Sequence, residues 1–180
     1  MPTLLAKGAA TLKLEHLRYQ LAPTGGAVLH CIVLDCSASM LRGQRLSKAK
    51  GLLQAWVDHC YQRRESLTLI GFSGQGAYVL KAPGKAAAFN HAWISAITGG
   101  GATPIQAALA LAERLLAKHK EPIALWLLSD VRFSQLPPRP SFAAQTTLID
   151  FDQGARTLGR AQKLAQLWQA DCIDVDELIR

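Results

Sequence analysis

Three stretches of the chain are largely apolar, at about residues 27–34, 67–72 and 122–128, and the first and third end abruptly at polar residues. Two shorter strand-like segments follow at 146–149 and 172–175. Runs of this kind are typical of strands buried on both faces of a parallel sheet. Between the runs, apolar residues recur at helical spacing over about 44–61, 85–97, 104–119 and 154–168. Strands that alternate with helices predict an α/β fold, with a doubly wound, mostly parallel sheet covered by helices on both faces.

One antiparallel element interrupts this alternation. Gln75-Gly76 predicts a tight turn from the second strand into a short edge strand over residues 77–81. Near the start of the chain, residues 1–11 show no period and are expected to be loosely held, and residues 12–21 resemble an edge strand. Without an internal repeat or a linker, residues 1–180 are expected to form a single domain.

Five oxygen-bearing side chains are predicted at one edge of this sheet. Two hydroxyls and a carboxylate follow the first strand, one hydroxyl precedes a helix, and one carboxylate ends another strand: Asp35, Ser37, Ser39, Thr103 and Asp130. In a doubly wound sheet, the loops at the carboxyl ends of the strands meet in one crevice. Each residue alone has an ordinary explanation as a turn former or helix cap. Together they favour a site for Mg²⁺, with Mn²⁺ as an alternative, because hard oxygen ligands suit such ions.

The segment around Thr103 also carries the signature of a helix start. Three glycines at 99–101 precede it, Pro104 suits the first helical position, and Gln106 follows at the spacing of a capping box. The sequence therefore predicts Thr103 as the N-cap of this helix as well as a metal ligand.

The net charge of +7 favours a partner with an acidic surface. Nucleic acid is not indicated, because the basic residues are spread along the chain and no nucleic-acid-binding motif is present. Arg42 and Arg45 beside the first loop, and Arg132 beside the last, predict a basic rim that steers an acidic partner. Neither a membrane span nor a signal peptide is apparent. Four cysteines without a C-x-x-C pair favour reduced thiols and a cytoplasmic location.

The main enzyme classes lack their residues in this sequence. A phosphatase that uses Asp35 would need a second carboxylate two residues later, where Ser37 stands. The G-x-S-x-G elbow of a serine hydrolase, the G-x-G-x-x-G of a dinucleotide site and the G-x-x-x-x-G-K-[ST] of a nucleotide-binding loop are missing. No catalytic activity is therefore expected from the chain alone.

The Asp-x-Ser-x-Ser segment at 35–39, with Thr103 and Asp130, resembles the metal-ion-dependent adhesion site of von Willebrand factor A domains. More narrowly, the chain is similar to the C-terminal domain of the magnesium chelatase D subunit and its cobalt-chelatase relatives. That similarity rests on the segments at 30–35, 67–72, 99–105 and 148–150 and on the helix from Arg156 to Leu167. Three positions depart from the family, which usually has glycine at Ala38, often arginine at Ser73 and commonly glycine at Val131.

The resemblance implies a non-catalytic interaction subunit of a chelatase that inserts magnesium or cobalt into a tetrapyrrole. Its partners would be an AAA+ ATPase subunit and a large catalytic subunit. An alternative is an adaptor of another AAA+ ATPase that remodels an unrelated client enzyme. The sequence leaves open which metal is inserted, and into which tetrapyrrole. The initiating Met1 favours a free-standing protein over the last domain of a longer subunit.

Overall fold

A computed structural model of the protein describes residues 28–86, 97–153 and 158–178. A six-stranded sheet forms its centre, and the strands in chain order are β1 (Leu29–Asp35), β2 (Ser66–Ser73), β3 (Gly76–Lys85), β4 (Ile123–Ser129), β5 (Gln145–Asp150) and β6 (Asp171–Asp174). The helices are α1 (Arg45–Gln62), α2 (Ile105–Leu116), α3 (Arg160–Trp168) and the single turn α4 (Val175–Leu178). A 3₁₀ segment, Ala38–Gln44, leads from β1 into α1.

The strands lie in the order β3-β2-β1-β4-β5-β6. All neighbouring pairs are parallel except β2 and β3, which form an antiparallel hairpin. Leu34 of β1 pairs with Leu128 of β4, so the next residues of the two strands, Asp35 and Ser129, are neighbours. The register therefore brings the polar residues that end and follow β1 next to the polar residues that end and follow β4.

Alternate residues of the central strands pack into two separate cores. On one face, Ile32 and Leu34 belong to the core that α1 covers. In this core the rings of Trp56 and Trp126 pack edge to face, with 4.0 Å between the ring centroids. On the other face, Cys31 and Val33 pack with α2 and α3. Because both faces of β1 are covered, its sequence is apolar without alternation.

The predicted α/β architecture is confirmed, with β3 as an antiparallel edge strand. β3 is longer than the expected 77–81, because the strand continues to Lys85, the residue at which a helix was expected to start. The helix expected over 85–97 and the elements expected over 1–27 lie largely outside the described residues.

The last long helix begins later than its pattern indicated. Gly159 has φ +59 and precedes the first residue of α3. Leu158 therefore lies outside the helix and is exposed, although the predicted helix over 154–168 included it.

Within the described ranges, no helix has both the length and the hydropathy that crossing a bilayer requires.

Candidate metal site at the carboxyl edge of the sheet

Asp35 lies at the bottom of the site as the last residue of β1, and it is fully buried. Its Oδ1 accepts a hydrogen bond from the Ser37 backbone N–H at 2.9 Å, and its Oδ2 accepts one from the Ser129 hydroxyl at 2.6 Å. Burial raises the pKa of Asp35 to about 6, although these hydrogen bonds oppose the shift. The carboxylate is thus held rigidly, and a cation nearby would compensate the cost of its burial.

The hydroxyls of Ser37 and Ser39 form a chain that ends at Asp130. The two Oγ atoms are 3.0 Å apart, and Ser39 Oγ donates to Asp130 Oδ1 at 3.0 Å. Ligands at right angles, each about 2.1 Å from Mg²⁺, are themselves about 3.0 Å apart. Both oxygen–oxygen distances therefore match edges of an octahedral shell, and the donor set fits a hard divalent cation.

Thr103 lies on a loop that is bonded to the Ser37 loop. The Ala38 N–H donates to the Gly101 carbonyl at 3.2 Å, and the Gly100 N–H donates to the Cys36 carbonyl at 2.8 Å. Gly101 has φ +77, and a Cβ there would lie 2.5 Å from the Cα of Gly74, so this close approach requires glycine. These bonds bring the loop that carries Thr103 to the carboxyl edge of the sheet, beside the Ser37 loop.

The expected capping role of Thr103 was wrong. Helix α2 begins at Ile105 with Pro104 as its N-cap, and that cap has no side-chain hydrogen bond. The half-buried Thr103 hydroxyl makes no hydrogen bond to another described residue. The local pattern misplaced the cap by one residue because Pro104 has ψ +64, outside the helical region.

Arg45 belongs to the interior of the site, so its expected place on an exposed rim was wrong. Only 8% of the residue is exposed, and its Nη1 donates to Asp130 Oδ2 at 2.8 Å. Its Nη2 donates to the Gln153 carbonyl at 3.1 Å and lies 3.6 Å from Asp152 Oδ1. Two buried carboxylates thus draw this first residue of α1 inward.

Arg132 and Arg42 lie nearer the surface. Arg132 Nη2 donates to Asp152 Oδ1 at 2.8 Å, its Nε is 3.5 Å from Asp130 Oδ2, and about a third of its side chain is exposed. Arg42 is exposed. Sequence reasoning did not assign Ser129 or Asp152 to the site; the only signal for them was their position just after apolar runs.

Val131, which directly follows Asp130, adopts an uncommon backbone conformation. Its φ is +50, which is strained for a β-branched residue, and its side chain is buried in the core. The Val131 N–H donates to Ser129 Oγ at 2.9 Å, and the Val131 carbonyl accepts a hydrogen bond from Arg160 Nε at 3.0 Å. Val131 is one of the two positions at which the chain departs from a glycine of the family it resembles.

A second cluster of metal-ligating residue types is formed by His30 of β1, Cys60 of α1 and Glu65, which directly precedes β2. His30 Nδ1 accepts a hydrogen bond from Trp126 Nε1 at 3.2 Å, so in neutral His30 the proton lies on Nε2 and is donated to Glu65 Oε2 at 3.1 Å. A metal at Nε2 would displace that proton to Nδ1, against the indole N–H. This cluster is therefore better explained as a structural hydrogen-bond network.

Comparison with known proteins supports the same reading of the fold. The model of the von Willebrand factor type A domain matches residues 31–132, more than half of the chain. The chain belongs to this family. The magnesium-chelatase 60 kDa subunit of Cereibacter sphaeroides is 32% identical over 79 residues, which are 44% of this chain and 14% of that subunit. The chain thus matches only a small part of the length of this relative.

Two solved structures share the von Willebrand factor A fold at low sequence identity. Proximal thread matrix protein 1 from the mussel byssus superimposes with a TM-score of 0.64 at 16% identity, over 86% of this chain and 44% of that one. The SpRpn10 VWA domain gives a TM-score of 0.60 at 10% identity, over 82% of this chain and 87% of that one. At such identities the likeness concerns the fold alone.

Whether the Thr103 hydroxyl binds the metal without capping helix α2 can be tested by mutation. Thr103→Ala should change the free energy of unfolding by less than about 0.5 kcal/mol, because the hydroxyl caps nothing. It should still weaken Mg²⁺ binding if Thr103 is a ligand. Urea unfolding and calorimetric titration measure the two effects. A loss of stability of about 1 kcal/mol, without any change in Mg²⁺ affinity, would instead assign Thr103 to the helix start.

Proposed function

We propose that this von Willebrand factor A domain is a metal-dependent interaction subunit of an ATP-dependent magnesium or cobalt chelatase. The observation that carries the proposal is the hydrogen-bonded set of Asp35, Ser37, Ser39 and Asp130 at the carboxyl edge of the sheet. The partial match to a magnesium-chelatase subunit supports the choice of complex. The chain would dock to an AAA+ ATPase subunit, and through it to a large catalytic subunit, during insertion of the metal into a tetrapyrrole.

The resident ion in this proposal is Mg²⁺, with Mn²⁺ as a substitute of similar ligand preference. Ser37, Ser39 and Thr103 would supply hydroxyl ligands, and Asp35 and Asp130 would balance the charge of the ion. When bound, the ion supplies a Lewis-acidic position that accepts a carboxylate of the partner. Asp35 cannot reorient freely, since both of its oxygens already accept hydrogen bonds, so it holds the Ser37 loop in position.

The surface around these residues suits an acidic partner with some apolar character. Arg42 and the partly exposed Arg132 provide the basic rim. Leu41 and Leu158 are each 53% exposed. Leu41 lies two residues after Ser39, and the Leu158 N–H donates a hydrogen bond to Asp152 Oδ2. The arginines would steer the partner over distance, and the leucines would add contact area once it has docked.

Catalysis is assigned to the partners. Phosphate binding and hydrolysis would require a nucleotide-binding loop, which belongs to the ATPase subunit of the proposed complex. The reduced cysteines of the described structure are compatible with the cytoplasmic location that the proposal assigns.

The metal assignment predicts that Asp35→Asn removes Mg²⁺ binding while the fold persists. An asparagine can still accept from the Ser37 N–H and donate to Ser129 Oγ, so the loop keeps its contacts and loses only the charge. We expect at least a tenfold loss of Mg²⁺ affinity by calorimetry, with an unchanged circular dichroism spectrum.

Asp150→Asn is the matched control, because Asp150 ends β5 at the same edge of the sheet. Burial also raises the pKa of Asp150 to about 6, but the residue is not among the expected ligands. Its variant should bind Mg²⁺ clearly more tightly than Asp35→Asn does, because it loses a charge at the same edge but no proposed ligand. Undiminished binding by Asp35→Asn would refute the site.

The partnership predicts Mg²⁺-dependent binding of an AAA+ chelatase subunit and no ATPase, phosphatase or chelatase activity of the chain alone. Without the ion, Asp35 and Asp130 would repel an incoming carboxylate, so a chelator should abolish the complex. Moderate salt should only weaken it, because salt screens the arginine rim. Pull-down and surface plasmon resonance test both effects.

Arg42→Glu serves as the control for the rim, since it should slow association without altering Mg²⁺ affinity. Binding that survives the chelator unchanged would separate the partnership from the metal site. Mg²⁺-dependent binding to an AAA+ ATPase outside any chelatase would favour the alternative adaptor role.

A further inference from the structure

The geometry points to Arg45 as an internal counter-charge that lowers the affinity of this site for a divalent cation and leaves the site positively charged once the cation is bound. This inference rests on the proposed function, because it concerns the regulation of the same site. It differs from the rim role expected for Arg45, since a buried guanidinium cannot meet a partner directly.

Arg45 is held where it is by acceptors from three segments of the chain. Its Nη1 donates to Asp130 Oδ2 at 2.8 Å and to the Ser39 carbonyl at 3.4 Å. Its Nη2 donates to the Gln153 carbonyl at 3.1 Å and lies 3.6 Å from Asp152 Oδ1. A buried guanidinium with this many partners is a fixed positive charge.

The carboxylate of Asp130 faces both the serine hydroxyls and the arginines. Its Oδ1 accepts from the Ser39 hydroxyl at 3.0 Å and from the Arg132 backbone N–H at 3.4 Å, and its Oδ2 accepts from Arg45 at 2.8 Å. The cation expected beside the serine hydroxyls would therefore share one buried carboxylate with the guanidinium. Two positive charges on the same carboxylate repel each other, and water screens that repulsion poorly at a buried position.

Five charged side chains lie closest to the hydroxyls, and their formal charges nearly balance without a metal. In this set Asp35, Asp130 and Asp152 carry three negative charges and Arg45 and Arg132 carry two positive ones, so the five residues sum to one net negative charge. With a divalent cation bound, the same set carries one net positive charge. The sign reverses on binding only because both arginines are present, and a positive site attracts a carboxylate from a partner.

Arg45 and Arg132 should differ in how strongly they lower the affinity for the cation. Arg132 also approaches Asp130 Oδ2, at 3.5 Å, but 35% of its side chain is exposed. Solvent screens its charge, whereas 9% exposure of the Arg45 side chain leaves that charge largely unscreened. Arg45 should therefore dominate the effect on the metal.

The test is the affinity for Mg²⁺ alone, measured by calorimetry on variants that keep every proposed ligand. Arg45→Gln, which removes the charge but retains an amide donor, should bind Mg²⁺ at least ten times more tightly than the wild type. Arg132→Gln, the matched change at the exposed position, should tighten binding less than threefold. Asp152→Asn should weaken binding severalfold, because it adds one net positive charge while its oxygen can still accept from the Leu158 N–H.

Asp152→Asn also keeps the inference testable if Arg45→Gln does not fold without Mg²⁺. Folded Arg45→Gln with wild-type or weaker affinity would overturn the inference and make Arg45 only a brace for Asp130. Unchanged affinity of Asp152→Asn, or equal tightening by both arginine variants, would overturn it as well. Failure of every protein, Arg45→Gln included, to bind Mg²⁺ would refute the proposed function instead.

Discussion

The hydrogen bond between Asp35 and Ser129 ties together the ends of two neighbouring parallel strands, and the site depends on it. β1 and β4 are adjacent at the centre of the sheet, and their register makes these two residues neighbours. The 2.6 Å bond fixes one oxygen of Asp35, and the Ser37 N–H fixes the other. Since Ser129 also accepts from the Val131 N–H, the same hydroxyl orders the loops after both strands. A shift of one strand by a single residue would turn these side chains to the opposite face.

Charge compensation sets the second constraint. Asp35 is buried with a raised pKa, and Asp130 is buried against Arg45 and Arg132. Isolated buried carboxylates are costly, so each must have a cation or several donors nearby. Asp35 has donors and Asp130 has arginines, and a divalent cation would serve both. The site thus combines rigid oxygen ligands with the fixed positive charge of Arg45. That charge acts on the ligands electrostatically and does not occupy the position of the cation.

Patterns of apolar residues were sufficient to predict the sheet and its main helices, because each central strand is covered on both faces and each helix on one. The Asp-x-Ser-x-Ser segment and Asp130 were predictable because polar residues stand directly after apolar strands. The place of Arg45 was not, since its burial depends on Asp130, 85 residues away in the chain. From the sequence alone, a basic residue at the start of a helix is expected to be exposed, because the long-range ion pair cannot be foreseen.

Local backbone effects account for the other differences. Pro104 shifted the start of α2 away from Thr103, and Gly159 shifted the start of α3 beyond Leu158. Valine itself does not indicate the positive φ of Val131, because valine rarely adopts it, and the one hint is the glycine common at this position in the family the chain resembles. Only at Val131 is the preference of the residue overridden, because glycine adopts the positive φ of Gly159 without strain.

The central claim is that the serine hydroxyls and the two carboxylates hold a divalent cation. Anomalous diffraction from crystals of the protein grown with Mn²⁺ tests it most directly, because the ion identifies its own position. The account predicts one strong anomalous peak about 2.1 Å from the Oγ atoms of Ser37 and Ser39. A peak at His30, Cys60 and Glu65 instead, or no ordered peak near the serines at saturating Mn²⁺, would contradict it.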